Sequence, residues 1–390
     1  MFVAAQVSGA LEVRREDFRE AAVRSREHQE LYLEALRRLD GLSASELGKR
    51  IEGHEWPGAQ PTCELAEKGA IVPFSHRWNT VQEARAWALD TLRGVTTVAV
   101  DGSQIAASKE YGVPVSLVQV AWFENPHDVF GTYIKDVRNE VLAGDTSEQE
   151  VQEYAFTESR LNQRRFALEM QVAIEQVRAL RPSPLPVVFV DGSFVLSFIR
   201  RLPPPVQRAY LEPLFDLLDA SQQHRVPVAG YVDLSHARDL TAMLRVAFDL
   251  PQSDVSDAQI LRRRMEYFDR TVAFVTARGD VLPRYRGDDR GWSDGLCFVY
   301  LQIGPNRLPA RLDLPRWVLD AGVLDHVVDI IRAEIVVGGG YPYALETADA
   351  AAVLTMQDRM AFFRLFHDFA RDSGLDLAMP GKSLSKMRRR

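Results

Sequence analysis

Two short apolar runs constrain the fold of this chain more than any other feature. Thr97–Val100 and Val187–Val190 each lead into Asp-Gly-Ser, in VAVDGSQ at 98–104 and VFVDGSF at 188–194. Runs this short and apolar fit buried strands. Asp-Gly and Gly-Ser are also ordinary turn signals after a strand, so a repeated tripeptide alone says little. Position adds weight, because ligands of open α/β sheets collect at the carboxyl ends of strands, where the loops diverge. If the two strands are sheet neighbours, Asp101 and Asp191 stand a few ångströms apart, and two carboxylates that close either share a proton or hold a cation.

The surrounding pattern predicts the rest of the sheet. Leucines and alanines recur at three and four residues from Glu16 to about Arg50, and a second helix fits Thr80 to Leu92. Residues 1–93 therefore read as an N-terminal helical arm. Three strand-like runs follow at Thr97–Val100, Ser116–Phe123 and Val129–Ile134, as in an antiparallel meander. Ser147 with Glu150 resembles a capping box opening a long helix to about Leu180. The strand Val187–Val190, a helix over Val206–Gln223, a strand Val226–Val232 and a helix starting near Ser235 continue the alternation. The order β-β-β-α-β-α-β-α predicts an α/β fold, a mixed sheet with helices on its faces. Further strands are expected at Arg270–Thr276, Leu296–Ile303 and Leu308–Leu312, then a helix over Pro315–Val336. After a break at Gly338–Gly340, helix returns from Ala344 to about Ser373. The core is placed at 94–354, with a C-terminal helix and basic tail at 355–390.

The helix between the two Asp-Gly-Ser runs carries the informative residue. On a wheel, Leu161, Phe166, Leu168, Val172, Ala173, Val177 and Leu180 share one arc, and Glu169 falls inside it. A glutamate on a buried face is costly unless it is paired or bound to a metal. A salt bridge to Arg165 is the plainer reading. Glu158, three turns earlier on nearly the same bearing, is an alternative functional residue, and Glu175 reads as solvated. Aspartate on the first strand, glutamate on the helix after the third and aspartate closing the fourth is the layout of the ribonuclease H-like fold. There, carboxylates hold two divalent cations about 4 Å apart, which activate a water and stabilise the leaving oxygen in phosphodiester cleavage. Oxygen-only ligands select Mg²⁺ or Mn²⁺ over zinc. On this scheme Asp101 bridges both cations, and Glu169 and Asp191 hold one each.

With these pieces in place, the chain resembles the NurA family of nucleases. VAVDGSQ, RRFALE ending in Glu169, VFVDGSF and GGYPYALETAD at 339–349 carry the resemblance, in the family's order. It implies a ribonuclease H-like core and Mn²⁺-dependent nuclease activity, with Mg²⁺ as the alternative cation. The activity implied is 5′-to-3′ exonuclease on single- and double-stranded DNA and endonuclease on single strands. It also implies a homodimer working with a HerA-type hexameric ATPase in DNA-end resection and repair. Carried over by motif, Asp101, Glu169 and Asp191 are metal ligands and Tyr341 lies near the scissile phosphate. Many relatives have a histidine where this chain has Asp349. An aspartate completes an oxygen-ligand set but does not act as an imidazole would, so Asp349 is expected to be the fourth ligand.

Composition sets the outer bounds. A chain of 390 residues with 46% apolar content can bury a sizeable core. The net charge of −7 argues against coating nucleic acid through bulk positive charge, but not against admitting it to one groove. Cys63 and Cys297 are the two cysteines and make neither a disulfide framework nor a zinc site. No segment approaches the roughly 20 apolar residues of a membrane span, and the first dozen residues lack a basic leader, so a cytoplasmic location without membrane contact is expected. Arg164, Arg165, Arg262–Arg264 and Lys386–Arg390 are basic clusters, with Arg164 and Arg165 candidates for tracking DNA. Ser103 and Ser193 are expected to hold their turns, Gly102 and Gly192 to let the chain bend, and Asp233 to close a strand-end turn. Helical spacing of Phe362, Phe363, Phe366 and Phe369 reads as core. Two other functions use related features: an actin-like or sugar-kinase-like phosphotransferase, and a non-catalytic subunit binding DNA or an ATPase. DGSQIAASK lacks the further glycines of a phosphate-cradling loop, which counts against the first.

Overall fold

The computed structural model describes residues 4–107, 113–143, 154–287 and 290–375, and the side chains of 154–158 lie outside that description. The chain runs α1 (Ala4–Val13), α2 (Arg15–Leu39), α3 (Ala44–Ile51), β1 (Gly58–Pro61), α4 (Glu64–Lys68), β2 (Ile71–Val72), α5 (Val81–Leu92), β3 (Thr97–Ile105), β4 (Val115–Asn125), β5 (Ile134–Ala143), α6 (Tyr154–Ala179) and β6 (Val187–Asp191). It continues through α7 (Pro204–His224), β7 (Val228–Val232), α8 (Asp239–Phe248), α9 (Asp257–Leu261), β8 (Arg270–Thr271), β9 (Phe274–Ala277), β10 (Leu296–Leu301), β11 (Ala310–Pro315), α10 (Trp317–Asp320), α11 (Leu324–Val337), α12 (Tyr343–Ala352) and α13 (Met356–Asp372). Two units interleave in sequence: Thr80–Asp191 with Arg201–Ala229 and Val323–Arg390, and Met1–Asn79 with Gly192–Arg200 and Gly230–Gly322.

In the first of these units the sheet order is β5-β4-β3-β6. β3, β4 and β5 form an antiparallel meander, and β6 returns parallel to β3 with Val98 beside Val188 and Val100 beside Val190. A meander, a crossover helix α6 and a strand parallel to the first is the ribonuclease H-like arrangement. α6 packs on β3, β4 and α7, α12 lies on β3 and β4, and α11 packs on α5. Phe363 is buried against Ile105, Val115 and Leu117 with Phe362 and Phe366 beside it, whereas Phe369 is exposed.

The third strand lies later than its sequence suggests, at Ile134–Ala143 and not Val129–Ile134. Asp128 Oδ1 accepts from the backbone N–H groups of Phe130 and Thr132 at 2.9 and 3.0 Å, closing a turn that leaves Val129 and Phe130 in solvent. The strand itself is mostly exposed, so IKDVRNEVLA carries little apolar alternation. The expected helix over Pro315–Val336 is broken at Gly322, whose φ of 70° no helix accepts. The expected helix from Ala344 is broken again, because Thr355 and Asp358 form a capping box that starts α13 afresh. Ser147 and Glu150 lie outside the described residues, as does the tail Lys386–Arg390.

In the other unit β1 pairs with β9, β9 with β10 and β10 with β11, all antiparallel, and β11 pairs with the end of β7. α2, α3, α8 and α9 close a core holding Leu36, Leu47, Met243, Leu244 and Phe298. The helix expected near Ser235 starts at Asp239 instead, since Asp257 accepts from the N–H groups of Leu240 and Thr241 and caps the first turn from outside. Asp233 is held by both its oxygens on Arg307, at 2.8 and 2.9 Å. Arg311 is fully buried, its Nε 2.7 Å from Asp313, its Nη1 2.9 Å from Asp239 and its guanidinium 4.2 Å above the Phe298 ring. Removing one partner of such a network leaves buried charge uncompensated, so Arg311→Ala is expected to lose about 3–5 kcal/mol of stability, measured by urea denaturation. Among the described residues no helix is long and apolar enough to cross a membrane.

Candidate functional site

Parallel pairing sets the first two acids. Val100 and Val190 are register partners, so Asp101 and Asp191 follow side by side on adjacent strands; Asp191 closes β6, whereas β3 does not stop at Val100 as expected but runs on through Asp101 to Ile105, paired with β4. Asp101 is half-buried and Asp191 exposed. Glu169 reaches them from α6: its side chain is 16% exposed, yet its Oε1 is buried with no hydrogen-bond partner. The salt bridge to Arg165 exists but is long, Nη1 to Oε1 at 3.5 Å, while the same Nη1 donates at 2.8 Å to the Gly102 carbonyl. Arg165 is thereby built into the site, and Arg164 is held by both oxygens of Glu140 at 2.6 Å. Glu175 pairs with Arg138, and the Glu158 side chain lies outside the described residues.

Gly102 makes room for the glutamate. A Cβ there would collide with Glu169 Oε1 and stand 3.0 Å from its Cγ and Cδ. The first Asp-Gly-Ser is no turn: Asp101, Gly102 and Ser103 lie within β3, paired with Ala121, Val120 and Gln119, and the space over Gly102 is filled by a carboxylate, which leaves no cradle for a nucleotide phosphate and removes the basis of the phosphotransferase reading. Gly192 adopts φ 114°, a conformation that favours glycine. Ser193 Oγ accepts from the Val195 N–H at 3.0 Å and holds its turn as expected. Ser103 does something else: its hydroxyl donates at 2.7 Å to the carbonyl of Ala352, the last residue of α12.

α12 delivers the fourth acid. Asp349 is exposed on this helix, and its side chain shares a hydrogen bond with Asp101. Tyr341 is half-buried in the turn leading into the helix. That turn needs a glycine at 338, where a Cβ would collide with the Tyr341 carbonyl. The ends of α12 are pinned from outside. At its start Pro342 has no side-chain cap, and the buried Glu334 of α11 accepts the Ala344 N–H at 2.9 Å and the Thr97 hydroxyl at 2.7 Å. At its end the Ala352 carbonyl accepts from Ser103 and from Gln119 Nε2 at 3.0 Å. Glu334, Ser103 and Gln119 went unread as site residues. For Glu334 the signal was there, a glutamate between Ile330, Ile331 and Ile335 on an apolar face.

Electrostatics ties the four acids together. Burial pushes Asp101 up to about 6, opposed by the Gly102 N–H and assisted by the charges of Asp349 and Asp191. Burial pushes Glu169 up to about 7, opposed by Arg165 and assisted by Asp101 and Asp191. Among the described residues no three acidic, cysteine or histidine side chains are gathered tightly enough to hold a metal ion as they stand. The chemistry of the donors nevertheless fits a hard cation: oxygen ligands only, an orphaned buried carboxylate oxygen, and an Asp101 pushed up by burial and by the charges of two neighbouring acids.

A ribonuclease H-like sheet carrying one acid within its first strand, one at the end of its fourth and one on the crossover helix defines a class of nucleases. The NurA domain matches residues 95–354, most of the chain, and the chain belongs to the NurA family. It is accordingly a DNA nuclease, a phosphodiester hydrolase. Among solved structures, one of NurA with manganese is 11% identical, aligned over 71% of this chain and 89% of that one, with a TM-score of 0.45. The catalytic domain of human endonuclease V is 13% identical over 80% and 96% of the two chains, TM-score 0.34. Endonuclease V from Bacillus subtilis is 13% identical over 75% and 96%, TM-score 0.30. These likenesses are weak, and the family match carries the assignment. No curated protein matches the chain.

Two outcomes follow. Gly102→Ala is expected to keep the fold, by circular dichroism, and to weaken Mn²⁺ binding at least tenfold by displacing Glu169, the lower end of what disturbing a ligand's support costs. Asp101 and Glu169 are raised above their ordinary 3.8 and 4.5, so the folded state holds more protons than the unfolded and loses stability as pH rises through 6 and 7. Without metal the melting temperature is expected to fall between about pH 5 and pH 8, and added Mn²⁺ to raise it more at the upper end, where both acids are ionised.

Proposed function

We propose that the chain is a divalent-metal-dependent nuclease whose cation ligands are Asp101, Glu169, Asp191 and Asp349. The observation that supports this best is Glu169: a helical carboxylate with an orphaned oxygen, admitted by a glycine and pushed up by burial with two neighbouring aspartates assisting. When bound, a pair of cations supplies an activated water and stabilises the leaving oxygen of the cleaved phosphodiester. The chain's own residues prepare that chemistry. Asp349 stands close enough to Asp101 for its charge to help push that carboxyl up. Burial holds Glu169 at about 7, so taking up a cation there would be favoured as pH rises through that value and the carboxylate forms. Arg165 ties α6 to the Gly102 carbonyl and keeps Glu169 in register with β3. Tyr341, at the head of α12, is assigned to the scissile phosphate on the family resemblance.

The same resemblance supports the finer reading: Mn²⁺ preferred over Mg²⁺, 5′-to-3′ cleavage from DNA ends, endonuclease action on single strands, and a cytoplasmic homodimer working with a HerA-type hexameric ATPase. We place the nuclease core at 94–354, flanked by the N-terminal part at 1–93 and the C-terminal helix and tail at 355–390, with α1, the start of α2 and the outer face of α13 as the partner-facing surfaces. Exposed Val7, Leu11 and Phe18, and Leu365 and Phe369, offer apolar contacts in those segments. Purified protein with end-labelled single- and double-stranded DNA and Mn²⁺ tests the proposal. Cleavage is expected to fall by at least a thousandfold in Asp101→Asn and Asp191→Asn, a loss of about 4 kcal/mol or more of transition-state stabilisation. Cleavage that survives either substitution refutes the ligand assignment.

A further inference from the structure

We propose that Glu334, outside the acidic cluster, is the positioning residue that sets Asp349 against Asp101, acting as the missing N-terminal cap of α12. The inference rests on the reading of Asp101 and Asp349 as cation ligands. A helix leaves its first N–H groups without intrahelical partners, and a side chain normally accepts one of them. Pro342, at the cap position, has no acceptor to give. Glu334, 1% exposed, fills the role from the neighbouring helix: Oε2 takes the Ala344 N–H at 2.9 Å while Oε1 takes the Thr97 hydroxyl at 2.7 Å.

One carboxylate therefore joins two elements. Thr97 opens β3, four residues before Asp101 on the same strand, and Ala344 lies in the first turn of α12, five residues before Asp349. Ser103 and Gln119 fasten the other end of α12 to β3 and β4 through the Ala352 carbonyl. The helix bearing Asp349 is thus fixed at both ends to the sheet bearing Asp101. His127 closes the pocket from the third side, its Nε2 3.6 Å from Glu334 Oε1 and its Nδ1 2.7 Å from the Val95 carbonyl. A negative group at a helix N-terminus is also favoured by the helix dipole.

The test is direct titration with Mn²⁺ alone, followed by the paramagnetic signal of the free ion, together with hydrogen exchange over 343–352. Glu334→Ala is expected to speed exchange in α12 and to weaken Mn²⁺ binding about tenfold, as loss of a ligand's support does. Glu334→Gln is expected to stay within about threefold of wild type, since its amide oxygen still accepts the Ala344 N–H and its amide nitrogen meets the Thr97 hydroxyl. In an Asp349→Ala background, Glu334→Ala is expected to add no further loss of Mn²⁺ affinity. Thr97→Val, which removes only the β3 side of the clamp, gives a smaller shift in the same direction and serves if Glu334→Ala does not fold. The proposal is overturned if Glu334→Ala lowers thermal stability with Mn²⁺ affinity unmoved, if Glu334→Gln is as weak as Glu334→Ala, or if the effect persists without Asp349. A wild-type chain that binds no Mn²⁺ overturns the ligand assignment instead, and unchanged exchange in α12 of Glu334→Ala then overturns the cap separately.

Discussion

The parallel pairing of β3 with β6 governs the arrangement of everything functional in this protein. Parallel neighbours lie about 4.8 Å apart and share a direction, so residues in register stand side by side on the same face. With Val100 opposite Val190, the next residue on each strand is an aspartate, and the sheet presents two carboxylates side by side. Such a pair is unfavourable by itself. Burial pushes Asp101 up to about 6, and the charges of Asp349 and Asp191 add to that.

α6 and α12 complete the site by opposite means. α6 inserts Glu169 into space that exists because residue 102 has no side chain, and tethers itself through Arg165 to the same peptide. α12 brings Asp349 on an exposed face, with nothing in its own sequence to hold its first turn, so the fold supplies the anchors from elsewhere: Glu334 at one end, Ser103 and Gln119 at the other. The serine of the first Asp-Gly-Ser is therefore a fastening for the helix that carries the fourth acid. The serine of the second holds its own turn and also donates to the carboxylate of Asp313 on β11.

Legibility followed burial. Asp101 and Asp191 were readable because each closes an apolar run, and Glu169 because a charge on an apolar helical face is costly enough to need a reason. Asp349 was readable only through its motif, since an exposed helical aspartate carries no energetic signal of its own. Glu334 obeys the same logic as Glu169, but within α11 nothing local indicates that its partners are a hydroxyl on β3 and an amide on α12. β5 was misplaced because its exposed faces tolerate charge, which erases the period-two pattern, while Val129 and Phe130 mimic a strand within a turn closed by Asp128.

By itself the sequence determined the local terms: which runs are strands, where a buried acid must be explained, and which family the motifs belong to. These are properties of side-chain chemistry and short-range geometry, present before any long-range contact forms. Only the tertiary structure decided the register of β3 on β6, the entry of Glu169 over Gly102, and the capping of α12 by a residue of another helix. Each of these depends on pairs separated by tens to hundreds of residues, whose meeting is set by packing of the whole unit and is written in no single segment.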